Sequence, residues 1–328
     1  MKKLFKGRKF FSKGFSLTEL SVSLVIVGTI AASAISMAVS NDRYNKTRET
    51  NDKMDRIEEA LTGFVTLNLR MPCPADGTLA ITNASFGLEG TPTTTSCPNA
   101  NFNYGANGTK ISGGVVPVRS LQLPDDYMFD GWGRRFTYVV NVYAANNVIT
   151  NTNCYTDYFC FVGVWNMSIT INFAGGSTSS PQDIIYVLMS HGENGHGAYP
   201  KNGGSTRVNG FPVGNPYRSG SAAELENGEL DTAGSATAFD NIFVQKDFVK
   251  KDDTTLAAGS REYFDDIVRY KDHSQIVYST GNVWYNLFCP ISKIALETQN
   301  TSSNDCTGVS DESMCESFMT EVYSRCLR

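Results

Sequence analysis

Lys13-Gly14-Phe15-Ser16-Leu17-Thr18-Glu19-Leu20 opens a run in which no residue from Leu20 to Val39 carries a charge. Twenty helical residues rise about 30 Å, the thickness of a bilayer's hydrocarbon core, so the run reads as a membrane-spanning helix. Glu19 stands at its front edge. An ionised carboxylate placed centrally in such a segment would cost roughly 2.5–3.5 kcal/mol on insertion scales, so a charge kept here asks for a partner. Lys2, Lys3, Lys6, Arg8, Lys9 and Lys13 precede it, with no acidic residue among the first fourteen. Positive charge stays on the cytoplasmic side, so the rest of the chain is expected outside. A secretory signal peptide cut after Ala32-Ser33-Ala34 is the competing reading. Against it stand an apolar segment longer than the usual span of about 7–15 residues, and Glu19 at its start.

Gly14-Phe15-Ser16-Leu17-Thr18-Glu19-Leu20 resembles the prepilin signature of type IV pilins and type II secretion pseudopilins: basic leader, Gly, Phe, a Glu four residues on, then an apolar helix. The resemblance covers the N-terminal tenth of the chain. It implies cleavage after Gly14 by a dedicated aspartic prepilin peptidase and methylation of the new Phe15 amine. It further implies a bacterial inner-membrane precursor with a periplasmic head, handed by an assembly platform to a filament of like subunits. In such a filament the Phe15 amine of one subunit and the Glu19 carboxylate of a neighbour neutralise each other, because an unpaired charge in a low-dielectric core is expensive.

Residues 1–14 are thus expected as leader, 15–40 as the membrane and assembly helix, 41–70 as its amphipathic continuation and 71–328 as an exported head. Met54, Ile57, Leu61, Phe64 and Val65 recur at three- and four-residue spacing, and Asp52, Asp55, Arg56, Glu58 and Glu59 take the other face. Pro72 and Pro74 stop the helix. From Met71 the texture changes to short β-like runs between Gly-, Asn- and Pro-rich turns, predicting strands over Gly114–Val118, Arg135–Val142, Phe159–Val164, Ser168–Phe173, Asp183–Met189, Asn241–Gln245 and Ser274–Tyr278. Gly203–Gly259 reads as a long insertion or flexible loop, and Asp311–Leu327 as a helix. The fold class is α+β: a long helix packed on an antiparallel sheet with disulfide-bearing loops. The formal net charge of −5 falls to −11 once the six leader cations are removed, and nothing favours nucleic acid.

The even count of eight cysteines outside the membrane suggests disulfides. Locality predicts Cys73–Cys97 and Cys154–Cys160; the sequence does not assign the connectivity among Cys289, Cys306, Cys315 and Cys326. Asp130-Gly131-Trp132-Gly133-Arg134-Arg135-Phe136-Thr137-Tyr138 resembles a segment of the major type II pseudopilin, with Phe136 and Tyr138 on one strand face. Met71-Pro72-Cys73-Pro74-Ala75-Asp76 resembles a motif of large proteobacterial prepilin-like proteins. In the major pseudopilin a Ser-x-Gly-x-Asp-Gly loop and a later Ala-Asp-Ile hold calcium. Ser190 and Gly192 match that loop, Asn194 stands for its Asp, and Asp266-Ile267 matches the later pair, so the resemblance implies calcium held by Ser190, Asn194, Asp266 and Asp265. Calcium takes six to eight oxygens, which a Gly-rich loop can supply. A turn plus an N-capping acidic pair is the alternative. His191 and His196 lack the i, i+4 spacing of a helical zinc pair and read as solvated loop histidines. Ser190 lacks a nucleophile elbow, which argues against a hydrolase.

A size well above that of a major subunit favours a minor or tip pilin, non-enzymatic; the competitor outside the family is a signal-anchored or secreted periplasmic enzyme or binding protein. Intact-protein mass spectrometry should find a mature N-terminus at methylated Phe15; an N-terminus near Ile35 would restore the signal-peptide reading.

Overall fold

The computed structural model describes residues 16–68, 70–93, 96–105, 110–145, 169–173, 184–211, 222–230, 234–249, 263–272, 275–276 and 279. The chain divides into two compact units, residues 1–48 and 49–328. Helix α1, Leu17–Asn68, belongs to both.

In the first unit α1 is long and apolar enough to cross a membrane, and none of its most apolar stretch is buried by other parts of the chain. Leu17 and Met37 are among its most exposed large side chains. The helix starts with a reciprocal cap. The Ser16 N–H donates to Glu19 Oε2 at 3.0 Å, and the Glu19 N–H donates to Ser16 Oγ at 3.2 Å. Ser and Glu three residues apart satisfy two backbone donors that a helix start leaves unpaired.

In the second unit the remainder of α1 supplies an apolar stripe, and Met54, Ile57, Leu61 and Val65 are fully buried while Phe64 packs at their margin. They cover one face of a five-stranded antiparallel sheet of order β1-β2-β3-β5-β7, built from Phe102–Tyr104, Ile111–Val115, Thr137–Asn141, Ile184–Ser190 and Ile267–Asp272. Short helix α2, Val142–Ala145, follows β3. Tyr138 and Val140 of β3 and Tyr186 and Leu188 of β5 meet the stripe. Val139, Val187 and Met189, one residue out of step, form a second cluster on the opposite face with Ile171 and Phe243. Those two come from a parallel pair, β4 Thr170–Phe173 and β6 Ile242–Gln245. A sheet covered on both faces needs continuous apolar strands, and all seven residues of β5 are buried.

Phe136 and Tyr138 share the helix-side cluster, as their spacing predicts. Asp130 forms the turn before them, accepting N–H bonds from Trp132 at 2.9 Å and Arg134 at 2.8 Å. Cys73 and Cys97 are joined, closing a 24-residue separation. In the chain-entropy account such a loop stabilises by about 3 kcal/mol.

Several sequence expectations shift. Strands β1 and β7 were not predicted, and β2 lies three residues earlier than Gly114–Val118. In the hairpin β1–β2, Phe102 faces Gly113, and a Cβ at Gly113 would fall inside the Phe102 ring; the aromatic covers the gap a glycine leaves in a strand. Instead of a strand over Ser274–Tyr278, the described residues there, Gln275, Ile276 and Ser279, are helical. The reason is a second reciprocal cap: Gln275 N–H donates to Asp272 Oδ1 at 2.8 Å, and Asp272 N–H to Gln275 Oε1 at 3.1 Å. Within 203–259 the described residues include helix α3, Ala222–Gly228, as well as β6. The expected strand Phe159–Val164 and helix Asp311–Leu327 lie outside the described residues.

Removing a stripe residue should leave a cavity. Ile57→Ala should destabilise the head by about 2–5 kcal/mol, whereas Leu67→Ala, at a side chain 81% exposed, should change stability by less than about 0.5 kcal/mol. Thermal melts followed by circular dichroism compare the two.

Candidate metal centre

Sheet register creates the site. Strands β5 and β7 pair antiparallel, with Ser190 opposite Ile267. The loop leaving β5 and the residues entering β7 therefore lie at one end of the sheet, although about seventy residues separate them. Glycine makes the approach possible: Gly192 has φ +56°, and a Cβ there would fall on the Asp265 carbonyl and carboxyl group. From α3 comes Glu224. Together Glu224, Asp265 and Asp266 bring one carboxylate oxygen each to within 4.8 Å of one another, all three buried. Asp265 and Asp266 precede a strand, so they are not the N-capping pair of a helix.

The surrounding polar groups are donors. Asp265 Oδ2 accepts from the Asn194 N–H at 2.9 Å and the Tyr263 hydroxyl at 2.8 Å. Glu224 Oε1 accepts from Asn194 Nδ2 at 2.7 Å. Asp266 Oδ2 accepts from Asn227 Nδ2 at 2.9 Å, and Asn227 is itself pinned to β6 by the Val244 N–H at 2.7 Å. Asp265 Oδ1 and Asp266 Oδ1 are buried with no hydrogen-bond partner.

Burial pushes all three carboxyls above the ordinary range, Glu224 and Asp266 well above it. For Glu224 the charges of Asp266 and Asp265 add to the rise, and for Asp266 that of Asp265 does. Close carboxylates cannot all ionise at low dielectric without a cation or shared protons. The donor set, three carboxyls with two orphaned oxygens, fits a hard divalent ion.

The sequence-predicted residues divide. Asp265 and Asp266 are in the cluster. Asn194 meets both loops, but its Oδ1 accepts from the His196 N–H at 2.8 Å and its amide donates to Glu224, so it braces the acids. The Ser190 hydroxyl donates to Asp130 Oδ2 at 2.6 Å. Successive strand residues point to opposite faces, so Ser190 turns to the Trp132 turn and His191 to the acids. Sequence reasoning missed Glu224, whose only local signal is an acidic residue in the Ala222-Ala223-Glu224-Leu225-Glu226 run.

Both loop histidines are buried rather than solvated. His196 Nδ1 accepts from the Gly210 N–H at 3.2 Å and its Nε2 meets the Leu230 carbonyl at 3.0 Å, tying two loops to the end of α3. His191 Nε2 pairs with Thr137 Oγ1 at 2.8 Å. Burial above all, with Arg207 and His196 nearby, holds the His191 pKa down to about 3. Gly14, Phe15, Cys154, Cys160, Cys289, Cys306, Cys315 and Cys326 lie outside the described residues. No protein-family model, curated protein or solved structure matches this chain.

The shifts give a signed pH dependence. Buried acids with raised pKa keep protons that the unfolded chain releases near pH 4, so the folded state loses stability as pH rises through their range. Asp130, raised to about 6 chiefly by burial, has its effect below about pH 6, and Glu229, raised to about 7 by the same cause, acts with the cluster only up to about pH 7. His191 acts oppositely, but only below the unfolded histidine pKa near 6.5. In chelator, stability should therefore fall from pH 6.5 to 8.5, by about 1.4 kcal/mol per pH unit for each proton retained. Asp266→Asn should reduce that slope in thermal melts across the range; an unchanged slope would remove Asp266 from the titrating set.

Proposed function

We propose that the chain is a non-enzymatic subunit, of minor or tip type, in a type IV pilus or type II secretion pseudopilus, anchored in the bacterial inner membrane before assembly. One observation carries the reading: a single helix, Leu17–Asn68, is apolar and uncovered in its first part and supplies the core stripe of a β-sheet head in its second. A secreted enzyme has no need of that division of labour, nor of Glu19. The uncovered part is the surface that neighbouring helices would occupy. The Cys73–Cys97 bridge suits an exported head.

On this reading Glu19 changes partners. In the single chain its carboxylate caps the helix through the Ser16 N–H. During assembly the carboxylate would turn to a neighbour's Phe15 amine. Partners are then other subunits, the prepilin peptidase and the inner-membrane assembly platform. The head would carry a divalent cation between Glu224, Asp265 and Asp266, with calcium the ion the resemblance implies. Bound there, the ion would neutralise the acids and fasten the loop after β5 to α3 and the start of β7.

Glu19→Ala tests the assembly role. Membrane insertion should be unchanged or slightly easier, because a charge leaves the apolar segment. Recovery in sheared filaments should fall at least several-fold relative to the native subunit, since the Phe15 amine loses its counter-charge. Equal recovery would count against assembly through this helix.

A further inference from the structure

His191 is the unexplained neighbour of the acid cluster, which it meets at Asp266. It is fully enclosed, at 1% exposure, and its Nδ1 makes no hydrogen bond of normal geometry, although the His196 backbone lies beside the ring. The other ring nitrogen is taken by Thr137 Oγ1. One rung beyond the last strand pair, Ser190 opposite Ile267, the ladder sets His191 across from Asp266. There Nδ1 lies 4.0 Å from Asp266 Oδ1, which also lacks a partner. That separation is too long for a hydrogen bond. It is within reach of two ligand bonds of about 2.0–2.2 Å to one ion, which hold their atoms roughly 3–4 Å apart.

The ring is also in the right state to ligate. In the tautomer whose Nε2–H donates to Thr137 Oγ1, the Nδ1 lone pair is free, and metals bind neutral imidazole. The Thr137 contact then does what second-shell partners do for metal-bound histidines, fixing tautomer and ring orientation.

We infer that His191 Nδ1 joins Glu224, Asp265 and Asp266 as a ligand, so that the centre takes a first-row transition-metal dication ahead of calcium. The inference rests on the reading of the three carboxyls as a cation centre. Calcium is a hard ion served by oxygen, whereas imidazole nitrogen suits manganese less than iron or zinc but discriminates against calcium throughout. Sequence alone could not show this. Neighbours on a strand part to opposite faces, so Ser190, named as a ligand by the motif, leaves the site and the residue beside it enters.

The test uses the full-length chain in detergent, stripped with chelator and loaded with manganese. Pulsed electron paramagnetic resonance should show a nitrogen coupling that changes when histidine alone is labelled with ¹⁵N. His191→Gln should abolish the coupling and weaken manganese binding about tenfold or more. In the native chain, half-displacement of manganese should need at least a tenfold excess of calcium. The labelled native protein carries the result even if the variant folds poorly. Manganese bound without a histidine coupling, or with one that survives in a folded His191→Gln, overturns the inference and leaves the cation centre standing. Binding of neither manganese nor calcium at millimolar concentration overturns both.

Discussion

Strand β5 has to be covered on both faces. Ile184–Ser190 is buried throughout, and such a strand is stable only between two apolar layers. The stripe of α1 provides one and the β4–β6 pair the other. Much else follows from that sandwich. Alternation along β3 and β5 sends Tyr138, Val140, Tyr186 and Leu188 toward the helix and Val139, Val187 and Met189 away from it. It also separates Ser190 from His191 at the strand's end, sending one to Asp130 and the other toward Asp266. By the same alternation Asp266 falls on the face away from Ile267, which packs in the helix-side cluster.

How much of this could be read in advance depends on where the signal sits. The helical stripe was legible because four fully buried residues recur at the helical period. β3 and β5 were legible because strands covered on both faces are unbroken apolar runs. β7 was not: it alternates apolar residues with Arg269 and Lys271, and its Asp265-Asp266 lead-in looks like a helix cap. Over Ser274–Tyr278 the alternating pattern lost to the Asp272–Gln275 cap, a local hydrogen-bond pair that periodicity does not weigh. Two of the acids in the centre were found through a loop resemblance. Glu224 was not, because only the tertiary fold carries α3 to them. Asn194 stands beside the acids with its amide turned to Glu224 and its oxygen to the His196 N–H, an orientation that sequence spacing does not carry.

The cluster has a simple electrostatic character. Neutral donors from Asn194, Asn227 and Tyr263 meet one oxygen of each carboxyl. They lower the cost of burial without cancelling the repulsion between three acids. What remains must be met by protons or by a positive ion. The same carboxyls can therefore stand at two charges, protonated or balanced by an ion.

Strand β7 ends the sheet among the described residues. An open strand edge is a template on which foreign strands can add, the usual route to sheet-mediated aggregation. Here the edge carries Arg269 and Lys271, and Arg269 reaches across to Asp55 and to Asn51 on α1. A strand arriving from another molecule would meet fixed positive charge and a guanidinium already tied down. Sideways growth through this edge of the sheet is thereby discouraged.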